Sequence, residues 1–110
     1  VAAALVLFHF AALRHQLDAW ESVARLAERT CTGAAPLVAS AGERPVVVEN
    51  MPASVDGVFF LSNGFSECVQ MAAGRSLRDP LVNVARPPGG DALVLRWDPQ
   101  RRSLTAAGRD

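Results

Sequence analysis

The chain contains no lysine and no tyrosine, and all eleven of its basic side chains are arginine. That skew is a bias of composition with little physical meaning; the balance of charge says more. Eleven acidic side chains cancel the eleven arginines. A net charge of zero argues against a dedicated nucleic-acid binder, which carries a basic excess. Cysteine is scarce: only Cys31 and Cys68 are present. No CxxC occurs, so neither a redox motif nor a cysteine zinc site is expected. The two histidines, His9 and His15, stand six apart, which puts them on different faces of a helix, and neither belongs to an HExxH motif. There is no GxGxxG and no Walker lysine. No metal and no cofactor is therefore expected. There is no internal repeat.

Half of the 110 residues are apolar and one fifth are charged. That composition fits one folded domain and not a disordered chain. The apolar residues are unevenly spread. Residues 1–13 read VAAALVLFHFAAL, with His9 the one polar side chain and no formal charge. A full membrane span needs about 20 apolar residues, so this stretch is too short to span alone. A signal peptide is not expected: there is no initiating Met, no basic leading region and no clean small-x-small cleavage site. Two readings stand. The segment is the end of a transmembrane helix, or it is a buried helix of a soluble fold or an oligomer. Apolar residues on every face favour the first.

From Arg14 the pattern becomes one-sided. Leu13, Leu17, Trp20, Ala24 and Ala27 recur at spacings of three and four, with Val23 and Leu26 beside them. Charged and polar residues fill much of the other face, which is the signature of an amphipathic helix. Glu21 and Arg25 stand in position for a local ion pair. One continuous helix of about 30 residues is expected, stopped by Gly33 and Pro36.

Beyond it, Pro45 to Glu49 and Val58 to Leu61 read as buried strands separated by an Asp56-Gly57 turn. A helix from Phe65 to Ala73 is capped by Ser62 or Asn63, carries Glu67 in its first turn and stops at Gly74. Leu81 to Ala85 is a third strand, and Pro87-Pro88-Gly89-Gly90 a loop. Ala92 to Trp97 and Ser103 to Ala106 form a hairpin across Asp98-Pro99-Gln100-Arg101. The expected fold is a small α/β (α+β) domain. It has one mixed sheet of about four to five strands and two helices in the order α-β-β-α-β-β-β, preceded by the apolar, membrane-type helix segment. Val58 to Ala85 is long enough for a right-handed crossover between parallel strands. Residues 1–13 form the apolar segment and residues 14–110 a single soluble α/β domain.

Few residues point to chemistry. Cys31 and Cys68 form a disulfide if the chain lies outside the cytoplasm, or they are two buried free thiols. Ser62, Asn63 and Gly64 join a strand to a helix, where exposed amides can hold an anion; a plain cap and tight turn explain the same residues. Cys68 or Ser66 as a nucleophile needs a nearby base, and both histidines lie near the N-terminus. Asp56, Glu67, Asp79 and Asp91 have no helical register that places two carboxylates on one site. Arg101-Arg102 reads as a solvated turn before a lipid-headgroup or nucleic-acid patch. Trp20 and Trp97 are either bilayer-boundary anchors or core residues.

The run HQLDAW after an apolar helix, followed by VVVENMPASVDGVFFLSNGFSECVQMAAG, resembles the C-terminal tail of certain bacterial polytopic membrane proteins. Some of these are glycosyltransferase-like, of the GT-C, dolichyl-phosphate-mannose mannosyltransferase-like sort. Asn50-Met51-Pro52, Gly57-Val58 and Asn63-Gly64-Phe65 carry the likeness, which covers roughly His15 to Gly74. The resemblance implies a non-catalytic extracytoplasmic accessory domain. It would support the membrane part or bind a glycan or protein partner. It would meet the bacterial cell membrane through the N-terminal apolar segment, and no nucleic acid is expected as a partner. No catalytic residue carries over. The alternatives are a free-standing oligomeric binding or assembly module and, behind it, a small hydrolase or transferase using Cys68 or the Asn63-Gly64 loop.

Overall fold

A computed structural model describes residues 1–61, 63–77, 79–86 and 89–107. The dominant element is helix α1, Ala2–Ser40, 39 residues long. At 1.5 Å per residue it runs for about 58 Å, and the molecule is 64 Å in its longest dimension. The radius of gyration is 17.5 Å, against about 13 Å for a compact chain of this size. The excess comes from the N-terminal half of α1. Its first buried residue is Val23, and every residue before Ala19 is exposed.

Gly33 and Pro36 do not stop the helix, contrary to expectation. Pro36 lies inside α1 and faces solvent. An interior proline removes one backbone bond and costs about 3 kcal/mol relative to alanine. Burial outweighs that penalty here: Ala34, Ala35 and Val38 on either side of the proline are all buried. The helix ends instead at Ala41, followed by Gly42 at φ 63°.

After α1 come β1 (Val46–Glu49), β2 (Ser54–Val55), β3 (Val58–Phe59), α2 (Phe65–Ala73), β4 (Val82–Val84), β5 (Leu93–Asp98) and β6 (Ser103–Ala106). The fold is mixed α+β, with two helices among the described residues. A four-stranded mixed sheet has the order β4-β1-β5-β6, and β2 and β3 form a separate two-stranded sheet. The single sheet expected from the sequence is thus divided in two. β1 runs parallel to both β4 and β5, while β5 and β6 are antiparallel. The segment from Val58 does not begin a parallel crossover. Val58 and Phe59 instead pair back onto Ser54 and Val55 across the Asp56-Gly57 turn. The strand ends early because Leu61 has φ 49°, a conformation that breaks an extended run. The parallel partner of β4 is β1, reached through β2, β3 and α2.

One face of the main sheet and the inner faces of both helices enclose the core. Val48, Leu95 and Trp97 come from the sheet, Val23, Leu26, Ala34 and Val38 from α1, and Phe65 and Val69 from α2. Phe60 lies against Trp97 with ring centroids 5.3 Å apart. Trp97 is therefore a core residue, whereas Trp20 is 58% exposed. The face of α1 turned to the core carries Val23, Leu26, Thr30 and Ala34, not the Leu13-Leu17-Trp20 stripe expected there. Thr30 satisfies its buried hydroxyl by donating to the Leu26 carbonyl at 2.7 Å.

Polar side chains hold the connections. The Asn83 side chain accepts from the Met51 amide at 3.0 Å and donates to the Met51 carbonyl at 2.9 Å, tying the end of β1 to β4. Ser66 and Gln70 of α2 accept from the Leu81 and Leu77 amides at 2.8 and 3.0 Å. Asp98 accepts from the Gln100 and Arg101 amides, shaping the hairpin turn expected at that position. The Pro87-Pro88 part of the expected loop lies outside the described residues.

Cys31 of α1 and Cys68 of α2 are joined by a disulfide with Cα atoms 5.8 Å apart. Closing a loop of this length removes unfolded-chain entropy worth about 3–4 kcal/mol. Replacing both cysteines with alanine is expected to lower unfolding free energy by about that amount, read as a shift of the urea midpoint. Leu95→Ala is expected to cost about 2–5 kcal/mol, because Leu95 is fully buried. Pro36→Ala is expected to raise stability by about 1–2 kcal/mol, since it restores a helix bond and removes no packed side chain. Unchanged stability would show that the helix compensates locally for the proline.

Candidate functional site

The two extremes of α1 have opposite environments. Leu5, Val6, Leu7, Phe8, Phe10, Leu13, Leu17 and Trp20 are each between 51% and 70% exposed. An aromatic side chain covers about 150–250 Å², so Phe8, Phe10 and Trp20 alone leave on the order of 350 Å² of apolar surface in water. The largest apolar patch of an ordinary monomer is about 300–600 Å² in total. With the five aliphatic residues added, this patch exceeds that range. Exposed apolar surface of this extent is characteristic of interaction sites.

The apolar character surrounds the helix as far as Leu13. Beyond it, Arg14, His15, Gln16 and Asp18 enter, and the exposed apolar residues narrow to a stripe of Leu17 and Trp20. His9 donates from Nδ1 to the Leu5 carbonyl at 2.7 Å, which satisfies its polar edge within the helix. No helix among the described residues is long and apolar enough to cross a membrane.

The residues considered for chemistry are dispersed. Cys68 is bonded to Cys31, so its sulfur is not available as a thiolate nucleophile. His9 and His15 stand on the exposed part of α1, far along the helix from the Cys31–Cys68 bond. Asn63 and Gly64 are exposed before α2, and Gly64 is its N-cap at φ 83°. Among the described residues no side chain caps this helix, which corrects the expectation that Asn63 does so; Ser62 lies outside them. The Gly64 carbonyl accepts from the Cys68 amide at 2.9 Å. The geometry of that loop is a glycine start to a helix. No group of three or more metal-ligating side chains exists among the described residues.

Four carboxylates pair with arginines. Glu49 is nearly buried on the sheet face away from the helices and accepts from Arg96 Nε at 2.7 Å. Glu21 pairs with Arg25 along α1, as the spacing predicts. Arg102 lies 3.4 Å from Asp56, and Arg101 lies 3.9 Å from Asp98. The Glu49–Arg96 and Asp56–Arg102 pairs join residues more than forty positions apart, so no local pattern could announce them.

Grooves among the described residues include three of note. A broad one of about 1010 Å³ follows the polar face of α1 from Asp18 to Gly33. A second, of about 490 Å³, lies between the end of α1, β1 and the connection from α2 to β4. A third, of about 180 Å³, lies between α1 and the β5–β6 hairpin. Neither Asn63 nor Gly64 lines any of them. The feature with the largest departure from an ordinary monomer is thus the exposed apolar half of α1. The chain matches no protein-family model, no curated protein and no solved structure.

Proposed function

We propose that this chain is a non-catalytic extracytoplasmic accessory domain of a bacterial multi-pass membrane protein, of the kind of which some are glycosyltransferase-like. The domain supports that membrane part or binds a glycan or a protein partner. One observation carries the reading: an apolar, uncharged helical segment, exposed on all sides, continues without a break into the packed domain. Residues 1–13 account for about 20 Å of helix, two-thirds of the roughly 30 Å hydrocarbon core. They would form the end of a membrane helix as it leaves the bilayer. Arg14, His15 and Gln16 follow at the depth of the headgroups, where long polar side chains reach water. Val23 stands about 15 Å beyond Leu13 along the helix. The interfacial layer is about 5–8 Å thick on each side. The packed domain would therefore sit clear of the lipid. The disulfide supports an extracytoplasmic setting, because such bonds persist in oxidising compartments.

A second reading, a free-standing oligomeric assembly module, has its own observation. Val6, Phe10, Leu13, Leu17 and Trp20 follow a four-three spacing, which is the seam of a coiled coil. Leu13, Leu17 and Trp20 are all exposed at that seam.

Vesicle flotation separates the two readings. The 110-residue chain is expected to float with phosphatidylcholine vesicles, and Phe8→Glu with Phe10→Glu is expected to abolish flotation while leaving the circular-dichroism spectrum unchanged. A chain that stays with the soluble fraction and sediments as a discrete oligomer, dissociated by Leu17→Glu, would overturn the membrane reading in favour of the assembly module.

A further inference from the structure

The groove of about 180 Å³ has a consistent charge. Arg29, Thr30 and Gly33 of α1 form one wall, and Arg101, Arg102 and Ser103 of the hairpin form the other. Three arginines thus line about 180 Å³ of space, and no carboxylate residue lines it among the described residues. A water occupies about 30 Å³, so the groove has room for a phosphate or a pyrophosphate. By contrast, the broad groove along α1 mixes Asp18, Glu21 and Glu28 with its arginines, and cancels its own field.

The three arginines differ in how far they are engaged. Among the described residues Arg29 has no carboxylate partner. Arg101 is 79% exposed and 3.9 Å from Asp98, and Arg102 is half exposed and 3.4 Å from Asp56. Exposed pairs at such distances are weak and leave donors free for another anion. Arg102 is also held at φ 50°, a conformation sparsely used by residues other than glycine. The choice of arginine itself carries no weight, since the chain has no lysine. What counts is that arginines over seventy positions apart line one groove.

Both walls are tied into the fold. Thr30 and Cys31, next to Arg29, are buried, and the Cys31–Cys68 bond fixes that turn of α1 to α2. The opposite wall is a paired hairpin. Elements held in this way spare a ligand the cost of ordering the backbone around it.

We infer that Arg29, Arg101 and Arg102 form a binding site for a phosphate-bearing ligand, in which the guanidinium forks donate to phosphate oxygens. Free phosphate compounds and lipid headgroups share this chemistry. The inference does not depend on the membrane role proposed for residues 1–13.

The test uses the full chain in neutral detergent at low salt, titrated with pyrophosphate by calorimetry. Saturable binding is expected. Arg29→Gln and Arg101→Gln should each weaken it by about tenfold or more, as the loss of a hydrogen bond to a charged group implies. Arg75→Gln, outside the groove, should leave it unchanged. A parallel arm compares phosphatidylglycerol with phosphatidylcholine vesicles in the Phe8→Glu/Phe10→Glu background, which removes apolar insertion. Binding to phosphatidylglycerol that is lost with Arg29→Gln assigns the site to a headgroup; the same dependence on pyrophosphate assigns it to a free phosphate compound. If Arg29→Gln and Arg75→Gln behave alike in both arms while both remain folded, the site does not exist.

Discussion

The structure depends on how the second half of α1 is held. Val23, Leu26, Ala34 and Val38 are buried against α2 and the sheet, and Cys31 ties the helix covalently to Cys68. Without those contacts a helix with an exposed apolar first half and an interior proline has little reason to persist in water. A small sheet of short strands would likewise lose the surface that covers its inner face. Thr30 shows the economy of the arrangement: it is buried, yet its hydroxyl is satisfied inside its own helix, so the packed face needs no external polar partner.

That anchoring has a geometric consequence. A helix fixed over its last twenty or so residues projects its first eighteen as a stalk, because a continuous α-helix transmits direction. The apolar groups on the stalk cannot fold back onto the domain. They face solvent or a partner, and a lipid phase satisfies all sides of the segment at once, whereas a second helix satisfies one stripe. The change from an all-round apolar surface to a stripe at Arg14 is therefore the feature that distinguishes the membrane proposal from the assembly proposal. The same anchoring places Arg29, one turn before the buried Ala34 region, opposite the β5–β6 hairpin. Apolar contact and charge convergence thus lie at separate places on one helix.

Local signals in the sequence translate well where the cause is local. The β5–β6 hairpin appears where Asp98-Pro99 announces a turn, and Asp98 caps that turn with its own side chain. α2 spans the residues read for it, Phe65–Ala73, and ends at Gly74 with φ 69°, a conformation for which glycine carries no steric penalty. Helix α1 runs past Gly33 and Pro36 because breaker residues state only a local preference. Burial of Ala34, Ala35 and Val38 decides otherwise. The strand read over Val58 to Leu61 shrinks to two residues for a related reason: a run of apolar residues does not say where its pairing stops. The Phe60 amide still donates to the Ala53 carbonyl at 2.9 Å, its side chain enters the core, and Leu61 turns away at φ 49°.

What the sequence by itself determined is the alternation of elements, the uncharged apolar start, the amphipathic switch after Leu13 and the absence of metal or nucleotide motifs. Each follows from side-chain chemistry at short spacing, where periodicity and turn preference act within a few residues. Only the tertiary structure decided which face of α1 is buried, that β1 sits between β4 and β5, that Cys31 meets Cys68, and that Arg29 shares a groove with Arg101 and Arg102. Those outcomes depend on contacts between residues tens of positions apart. Such contacts are chosen by the combined burial of the whole core, and no single segment carries enough free energy to choose them alone.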